Sequence, residues 1–175
     1  MKIAVFGSAF NPPSLGHKSV LERLSHFDLI LMVPSIAHAW GKEMLDYDTR
    51  CEMVTAFMQD LNLPQVELST IERTLLEQDE DAQAVTTFAL LSALQCRYPA
   101  SELTFVIGPD NFLQFSKFYK AQEITQQWSV LACPETLPVR STHIRQHLEA
   151  GSSIEGLTTT SVSQFIHSHK LYQQH

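Results

Sequence analysis

The chain has 175 residues, 44% of them hydrophobic, which is enough for one sizeable core but little for two domains. Its 19 acidic and 12 basic residues give a formal net charge of -7. This balance argues against a protein that mainly grips nucleic acid, because phosphate-backbone binding needs clustered Lys and Arg. We therefore expect a single domain over residues 1–175, whose local positive patches suit a small anionic ligand and not a nucleic acid.

The cysteines and the hydropathy of the sequence indicate the cellular compartment in which we expect the protein. The cysteines Cys51, Cys96 and Cys133 are odd in number and far apart, and none forms a C-x-x-C pair. We expect reduced thiols in the core and no disulfide framework. The sequence has no run of about 18 apolar residues and no signal-peptide pattern. These features predict a cytoplasmic protein with no membrane partner.

Five short apolar runs predict strands that are buried on both faces, as in a parallel sheet. They lie at 3–6, 29–33, 66–71, 103–107 and 128–133. Helix-length segments lie between them, at 16–26, 49–61, 82–98 and 121–127. This alternation predicts right-handed βαβ crossovers, and hence an α/β fold with a Rossmann-like open parallel sheet and helices on both faces.

Capping residues predict where three helices begin. Thr49 and Glu52 form a capping-box pattern, which places the start of the second helix at Thr49. Nearer the C-terminus, Ser141 or Thr142 can cap one helix and Ser161 another.

The first predicted strand leads into residues 7–17, with the sequence GSAFNPPSLGH, and then into a helix. Small residues between a strand and a helix start expose backbone N–H groups to a phosphate, and the helix dipole favours negative charge there. Neither G-x-G-x-x-G nor a Gly-Lys-Ser/Thr loop is present. His17 could reach a bound phosphate from this position, and a solvated surface histidine is the alternative.

The pattern G-x-x-F-x-P-x-x-x-G-H in this loop resembles the signature of the HxGH nucleotidyltransferases, and among them the nicotinate/nicotinamide mononucleotide adenylyltransferases. The resemblance implies that His17 is the second histidine of H-x-G-H, which binds the ATP phosphates in the transition state. Ser14 stands where the first histidine belongs, and phosphopantetheine adenylyltransferases are similar in having a hydroxyl residue, threonine, there. The resemblance also implies an ATP-binding loop that contains Gly7, Ser8, Ala9, Phe10 and Gly16.

Residues 105–112, FVIGPDNF, are similar to the family's I-I-G-x-D-x-L segment. The resemblance implies that Gly108 and Asp110 bind ATP and that Asn111 contacts the acceptor. Phe118 corresponds to the tryptophan that stacks on the pyridine ring in mononucleotide adenylyltransferases, and a core role is its alternative.

Acceptor contacts are also implied near the third long helix. Thr86 resembles the threonine of the family's Y-T-I-D-T stretch, which holds the nicotinate end. The sequence here is VTTF, which lacks the family's aspartate. The acceptor pocket is therefore expected to differ from that of the relatives.

The segment STHIR at 141–145 resembles the family's S-S-T-x-I-R, with Arg140 in place of the first serine. Hydroxyl groups at a helix start, with an arginine one turn later, suit a polyphosphate because the guanidinium offers a fixed fork of donors. The resemblance implies that Ser141 and Thr142 hold the triphosphate. It implies that Arg145 stabilises the transferring phosphorus.

The reaction implied by the resemblance is attack of an acceptor phosphate oxygen on the α-phosphorus of ATP, with pyrophosphate as leaving group. Such a transfer needs no protein nucleophile, so catalysis depends on positioning and on offsetting phosphate charge. We predict His17, Arg145 and Ser14 as the catalytic group. Lys42, in the loop after the second strand, is expected to contact the ATP phosphates, with a solvated lysine as the alternative.

Mg²⁺ is expected to accompany ATP as its cofactor, and no metal site made of protein side chains is expected. The partners are then ATP and a small phosphorylated acceptor. Transfer to phosphopantetheine and nucleotide binding without turnover are the two alternatives to a pyridine mononucleotide acceptor.

The sequence also predicts where the ligand lies. ATP is expected across the carboxyl ends of the first and fourth strands, with residues 7–10 on one side and 141–145 on the other. Ser14 is expected on a surface loop with its hydroxyl near the phosphates, and His17 is expected to be exposed. Substituting either side chain is therefore expected to change stability little.

Overall fold

The computed structural model describes residues 1–37, 44–79 and 81–173. These residues form a five-stranded sheet in the order β3-β2-β1-β4-β5, and every neighbouring pair of strands is parallel. The strands are β1 (Lys2–Ser8), β2 (Leu29–Pro34), β3 (Val66–Leu68), β4 (Glu102–Ile107) and β5 (Ser129–Ala132).

Helices connect the strands and continue beyond the last one. They are α1 (Leu15–Leu21), α2 (Tyr47–Gln59), α3 (Ile71–Gln78), α4 (Thr87–Arg97), α5 (Pro109–Gln114), α6 (Ala121–Gln127), α7 (Ser141–Glu149) and α8 (Thr160–Ser168). Short 3₁₀ turns at Glu22–Leu24 and Phe115–Lys117 follow α1 and α5.

The sheet is buried on both faces, as the apolar runs predict. In β1, Ala4 and Phe6 join one core cluster, which also contains side chains of α1, α2, α7 and α8. Ile3 and Val5, which point to the opposite face, join a second cluster with side chains of α3, α4 and α6. The predicted Rossmann-like parallel sheet with helices on both faces is therefore confirmed.

β1 lies in the middle of the sheet, between β2 and β4. From β1 the chain runs outward through β2 to β3, and then crosses to β4 and runs outward to β5 on the other side. Where the strand order reverses in this way, the loops separate and leave a crevice at the carboxyl edge. The loops that follow β1 and β4 border this crevice.

The predicted start of the second helix is wrong. Tyr47 begins α2, and the side chain of Asp46 accepts the N–H of Thr49 at 3.0 Å. Asp46 is thus the N-cap, and the capping box between Thr49 and Glu52 does not form because Thr49 is already inside the first turn.

Other element boundaries also differ from the prediction. The predicted strand 66–71 ends at Leu68. The apolar residue Ile71, which made the run look longer, is the first residue of α3 and packs in the core from there. The predicted helix 82–98 begins later, at Thr87, and the predicted helix 16–26 gives way to a 3₁₀ turn after Leu21. The N-caps of α7 and α8 are Arg140 and Thr159, not the serines and threonine expected there.

The three cysteines are free thiols. Cys133 is buried in the core and Cys51 is partly buried, but Cys96 is exposed on α4, so the expectation of a core thiol is wrong for Cys96. Within the ranges that the structure describes, no helix is long and apolar enough to cross a membrane.

Candidate active site

A cavity of about 310 Å³ occupies the crevice between β1 and β4. Its walls come from the loop after β1 with α1, the loop after β4 with α5, and the segment between β5 and α7. The lining side chains and backbone are those of Phe6, Gly7, Ser8, Ser14, Gly16, His17, Val20, Val106, Ile107, Gly108, Asp110, Asn111, Glu135, Val139, Arg140 and Ser141. The cavity thus lies at the switch point of the sheet, where open α/β proteins bind ligands.

The imidazole of His17 has a defined orientation and tautomer. Its Nδ1 accepts the backbone N–H of Ser14 at 2.9 Å, so in the neutral ring the proton resides on Nε2. Nε2 lies 3.1 Å from Oγ of Ser8, at the cavity wall. The ring also packs against Phe10, with 4.9 Å between the ring centroids. His17 therefore carries its N–H at the cavity wall, where Oγ of Ser8 is within hydrogen-bond distance.

Burial lowers the pKa of His17 from its ordinary value of 6.5 to about 4. At neutral pH the side chain is therefore an uncharged donor and not a cation. The expectation of an exposed histidine is wrong, because the ring is partly buried against Phe6 and Phe10. Replacing it with alanine removes packing as well as a polar group.

Ser14 is buried, with 1% of its surface exposed, so its expected place on a surface loop is wrong. Its Oγ accepts the N–H of His17 at 3.3 Å and thereby caps α1. The hydroxyl lies 3.1 Å from the carbonyl oxygen of Val139 and 3.1 Å from Nδ1 of His17, and both are acceptors. The hydroxyl proton is thus used inside the protein, although Ser14 also lines the cavity.

The segment after β5 contacts the loop after β1 and the start of α1. Gly16 lies so close to the carbonyl oxygen of Val139 that any Cβ at this position would collide with it. Oγ of Ser141 donates to the carbonyl oxygen of Pro12 at 2.5 Å. The loop after β1 with the start of α1, and the segment that leads into α7, are therefore in direct contact at one end of the cavity.

Arg145 faces the loop after β1 and is not among the described residues that line the cavity. Its Nη1 donates to the carbonyl oxygen of Asn11 at 2.7 Å, and its Nη2 donates to Oγ1 of Thr142 at 3.2 Å. These bonds occupy part of the guanidinium fork and also the hydroxyl of Thr142. In this arrangement both side chains support the loop, and their contact with ATP stays a prediction.

Ala9 and Phe10 belong to the framework of the loop and not to the cavity wall. Phe10 is fully buried, with φ of 49°, and the carbonyl oxygen of Ala9 accepts Nη1 of Arg50 at 2.9 Å. Arg50 is 1% exposed and also donates to the carbonyl oxygens of Ser35 and Leu45, at 2.7 and 2.8 Å. This buried arginine ties together three loop positions near the crevice, a role that α2 alone does not reveal.

Three charged side chains meet at the cavity. Nη1 of Arg140 lies 2.8 Å from Oδ2 of Asp110, and Nη2 lies 3.2 Å from the carboxylate of Glu135. Arg140 and Asp110 are both largely accessible to solvent, with 50% and 67% of their side-chain surface exposed. The sequence reasoning included Asp110 but missed Glu135, since no motif marks the loop after β5.

The predicted acceptor residues are placed differently from one another. Asn111 lines the cavity. Phe118 packs against Phe115, with 5.1 Å between centroids, and Thr86 caps α4 by accepting the N–H of Ala89 at 3.1 Å. Neither Phe118 nor Thr86 is among the described cavity-lining residues, so their contact with an acceptor stays a prediction.

Some of the other residues predicted to bind ATP also line the cavity, and some do not. Lys42 lies outside the residues that the structure describes. The structure brings six of the remaining predicted ATP-binding residues to the cavity wall, namely Gly7, Ser8, Gly16, Gly108, Asp110 and Ser141.

Comparison with known proteins identifies relatives of this chain. The family model described as cytidylyltransferase-like matches residues 5–147. A crystal structure from Vibrio parahaemolyticus, whose name places it among the nicotinate-nucleotide adenylyltransferases, is 53% identical to this chain. The match covers 98% of this chain and 94% of that one, with a TM-score of 0.87.

More distant relatives have the same architecture. A curated protein from Staphylococcus saprophyticus, named a probable nicotinate-nucleotide adenylyltransferase, is 27% identical over 98% of this chain and 97% of its own length. The Plasmodium falciparum nicotinic acid mononucleotide adenylyltransferase, solved in complex with NaAD, has a TM-score of 0.77 at 15% identity, covering 98% of this chain and 97% of that one. At that identity the last comparison shows the fold alone.

We expect Gly16→Ala to destabilise the protein, because the added methyl group must displace the backbone carbonyl of Val139. Overpacking of this kind lowers the free energy of unfolding by about 1–3 kcal/mol. Gly108→Ala is the matched control, since nothing lies within 4 Å of a Cβ there. Urea denaturation of both variants checks the prediction, and equal stabilities would contradict the proposed contact.

We expect NMR titration of the unliganded protein to give His17 a pKa near 4. The unfolded chain takes up this proton first as the pH falls from 6.5 toward 4, so the histidine lowers the free energy of unfolding over that window. Adding pyrophosphate should raise the pKa, because a nearby anion favours the imidazolium. A pKa near 6.5 without ligand would contradict the buried environment.

Proposed function

The chain belongs to the cytidylyltransferase-like family, and we propose that it transfers AMP from ATP to nicotinate or nicotinamide mononucleotide, with release of pyrophosphate. The observation that carries this proposal is the cavity at the sheet's switch point, where His17 presents a neutral N–H donor. The names of the 53% identical structure and of the curated relatives support a nicotinate-nucleotide acceptor.

The proposed reaction is a single in-line displacement. A phosphate oxygen of the mononucleotide attacks the α-phosphorus of ATP, the bond from that phosphorus to the α,β-bridging oxygen breaks, and the electron pair leaves with pyrophosphate. The enzyme forms no covalent intermediate in this scheme. Its task is to align the two phosphates and to stabilise the charge that builds up on the departing group.

His17 is suited to that second task. As a neutral donor it can hydrogen-bond a phosphate oxygen through Nε2 when that oxygen replaces Oγ of Ser8 as its partner, without the repulsion that a carboxylate would cause. Negative charge that accumulates next to the ring raises the pKa of His17 and strengthens this bond in the transition state. The hydrogen bond from the N–H of Ser14 to Nδ1 fixes the ring throughout, so little reorganisation is needed.

Mg²⁺ bound with the ATP phosphates would offset part of their charge. Asp110 and Glu135 offer carboxylate oxygens at the cavity, which are ligands that Mg²⁺ accepts alongside substrate phosphates. In the described part of the chain no three His, Cys, Asp or Glu side chains form a metal-binding cluster. Because Mg²⁺ is usually held by one or two carboxylates together with substrate phosphates, this pair of carboxylates fits an ion that arrives with the nucleotide.

One observation favours a second candidate, nucleotide binding without turnover. The hydroxyl of Ser14 is engaged inside the protein, and the guanidinium of Arg145 faces the backbone of Asn11. The polar groups of Ser14 and Arg145 thus have partners within the protein. If neither contacts the phosphates, the chain could bind ATP yet lack the groups that accelerate its reaction.

A panel of acceptors separates these candidates. We expect the unmodified protein, with ATP and Mg²⁺, to release pyrophosphate continuously when nicotinate or nicotinamide mononucleotide is added. Phosphopantetheine should give only background release. Turnover with phosphopantetheine alone would replace the proposed acceptor, and ATP binding with no release for any acceptor would establish the second candidate.

We expect His17→Ala to lower turnover by roughly 10²- to 10⁴-fold, the range for losing one group that supports transition-state charge or proton transfer. His26→Ala is the matched control, because His26 is exposed and lies outside the cavity wall. Thermal unfolding of both variants separates lost catalysis from lost folding. Turnover by folded His17→Ala within threefold of the unmodified enzyme would remove His17 from the mechanism.

A further inference from the structure

Arg140, Asp110 and Glu135 reach the cavity from different parts of the fold. Arg140 is the N-cap of α7, Asp110 lies in the first turn of α5, and Glu135 follows β5. The guanidinium joins both carboxylates, at 2.8 and 3.2 Å. All three residues line the cavity. The ion pairs therefore link the α5 wall to the α7 wall.

The backbone at Arg140 is held while the side chain remains accessible. The residues on both sides of Arg140 are hydrogen-bonded to the loop after β1. The carbonyl oxygen of Val139 accepts the hydroxyl of Ser14, and the hydroxyl of Ser141 donates to the carbonyl oxygen of Pro12. The side chain of Arg140 is 50% exposed, and exposed ion pairs contribute little net stability. The guanidinium can therefore change partners without a change in the fold.

The charges explain why such an exchange matters. Of the described cavity-lining side chains, Asp110 and Glu135 are negative, His17 is neutral at pH 7, and Arg140 carries the one formal positive charge. A polyphosphate entering this cavity meets net negative charge. Because carboxylates a few ångströms from a phosphate repel it, a cation that turns toward the ligand favours binding.

We propose that Arg140 is a polyphosphate-binding residue that exchanges Asp110 and Glu135 for the phosphates of the incoming nucleotide. Before nucleotide binds, the carboxylates hold the guanidinium at the cavity, and in the complex the same fork binds phosphate oxygens. Glu135 thereby competes with the ligand and weakens its binding. This assignment rests on the proposed function insofar as it takes the ligand to be a nucleotide.

Calorimetric titration with inorganic pyrophosphate in the absence of Mg²⁺ tests the exchange directly. We expect Arg140→Ser to weaken pyrophosphate binding by about 10- to 100-fold, as for the loss of a charge-assisted bidentate contact. Arg140→Lys should bind with intermediate affinity. Arg97→Ser is the matched control, because Arg97 is exposed at the end of α4 and lies outside the cavity. The affinity of this variant for pyrophosphate should stay within twofold of that of the unmodified protein.

The competition with Glu135 gives a second readout. Glu135→Gln should tighten pyrophosphate binding about threefold or more, since it removes both a negative charge and a partner of Arg140. In the Arg140→Ser background the same substitution removes only the charge, so its gain should be smaller. This difference between the two backgrounds measures the exchange separately from simple repulsion.

Each result decides the proposal. Unchanged or tighter binding by Arg140→Ser would overturn it, as would an equal gain from Glu135→Gln in both backgrounds or no pyrophosphate binding by the unmodified protein. If the binding depends on Arg140 but the unmodified protein turns over no acceptor, this inference stands and the proposed reaction falls. If the unmodified protein turns over an acceptor but pyrophosphate binding is the same with and without Arg140, the proposed reaction stands and this inference falls.

Discussion

The chain segment between β5 and α7 rests on the first turn of α1, and the arrangement of the cavity depends on that contact. The backbone of Val139 approaches Gly16 so closely that no side chain fits between them, and the hydroxyl of Ser14 lies within hydrogen-bond distance of the same carbonyl group. The contact joins chain segments that follow β1 and β5, two strands that are not neighbours in the sheet. It places Arg140 and Ser141 at a cavity whose opposite wall follows β4.

The same contact orients the reactive imidazole. Ser14 caps α1 through the N–H of His17 and also directs its own N–H to the ring, so the cap and the tautomer are set by one residue. Polar groups buried in this way must find partners, because an unpaired donor or acceptor costs about 1–3 kcal/mol. The network of Ser14, His17 and Val139 satisfies them without using a charged side chain. The ring is thereby kept neutral, with its N–H on Nε2 beside Oγ of Ser8 at the cavity wall.

The sequence was sufficient for the fold and for the region of the site. Apolar runs such as 29–33 predict buried strands because a strand covered on both faces needs apolar side chains at consecutive positions. The loop at 7–17 predicts a binding site because it joins the first strand to the start of a helix. The environments of single side chains depend on distant partners instead. Ser14 is bonded to a residue 125 positions away, and the role of Arg50 requires the positions of several carbonyl groups. No local pattern contains that information.

The central claim is that a nucleotide's phosphates occupy the cavity between His17 and Arg140. A crystal structure with a non-hydrolysable ATP analogue tests it most directly. We expect phosphate oxygens within hydrogen-bond distance of Nε2 of His17 and of the guanidinium of Arg140, with the pairs from Arg140 to Asp110 and Glu135 broken. Phosphates bound elsewhere, or bound here while Arg140 remains paired with both carboxylates, would contradict it.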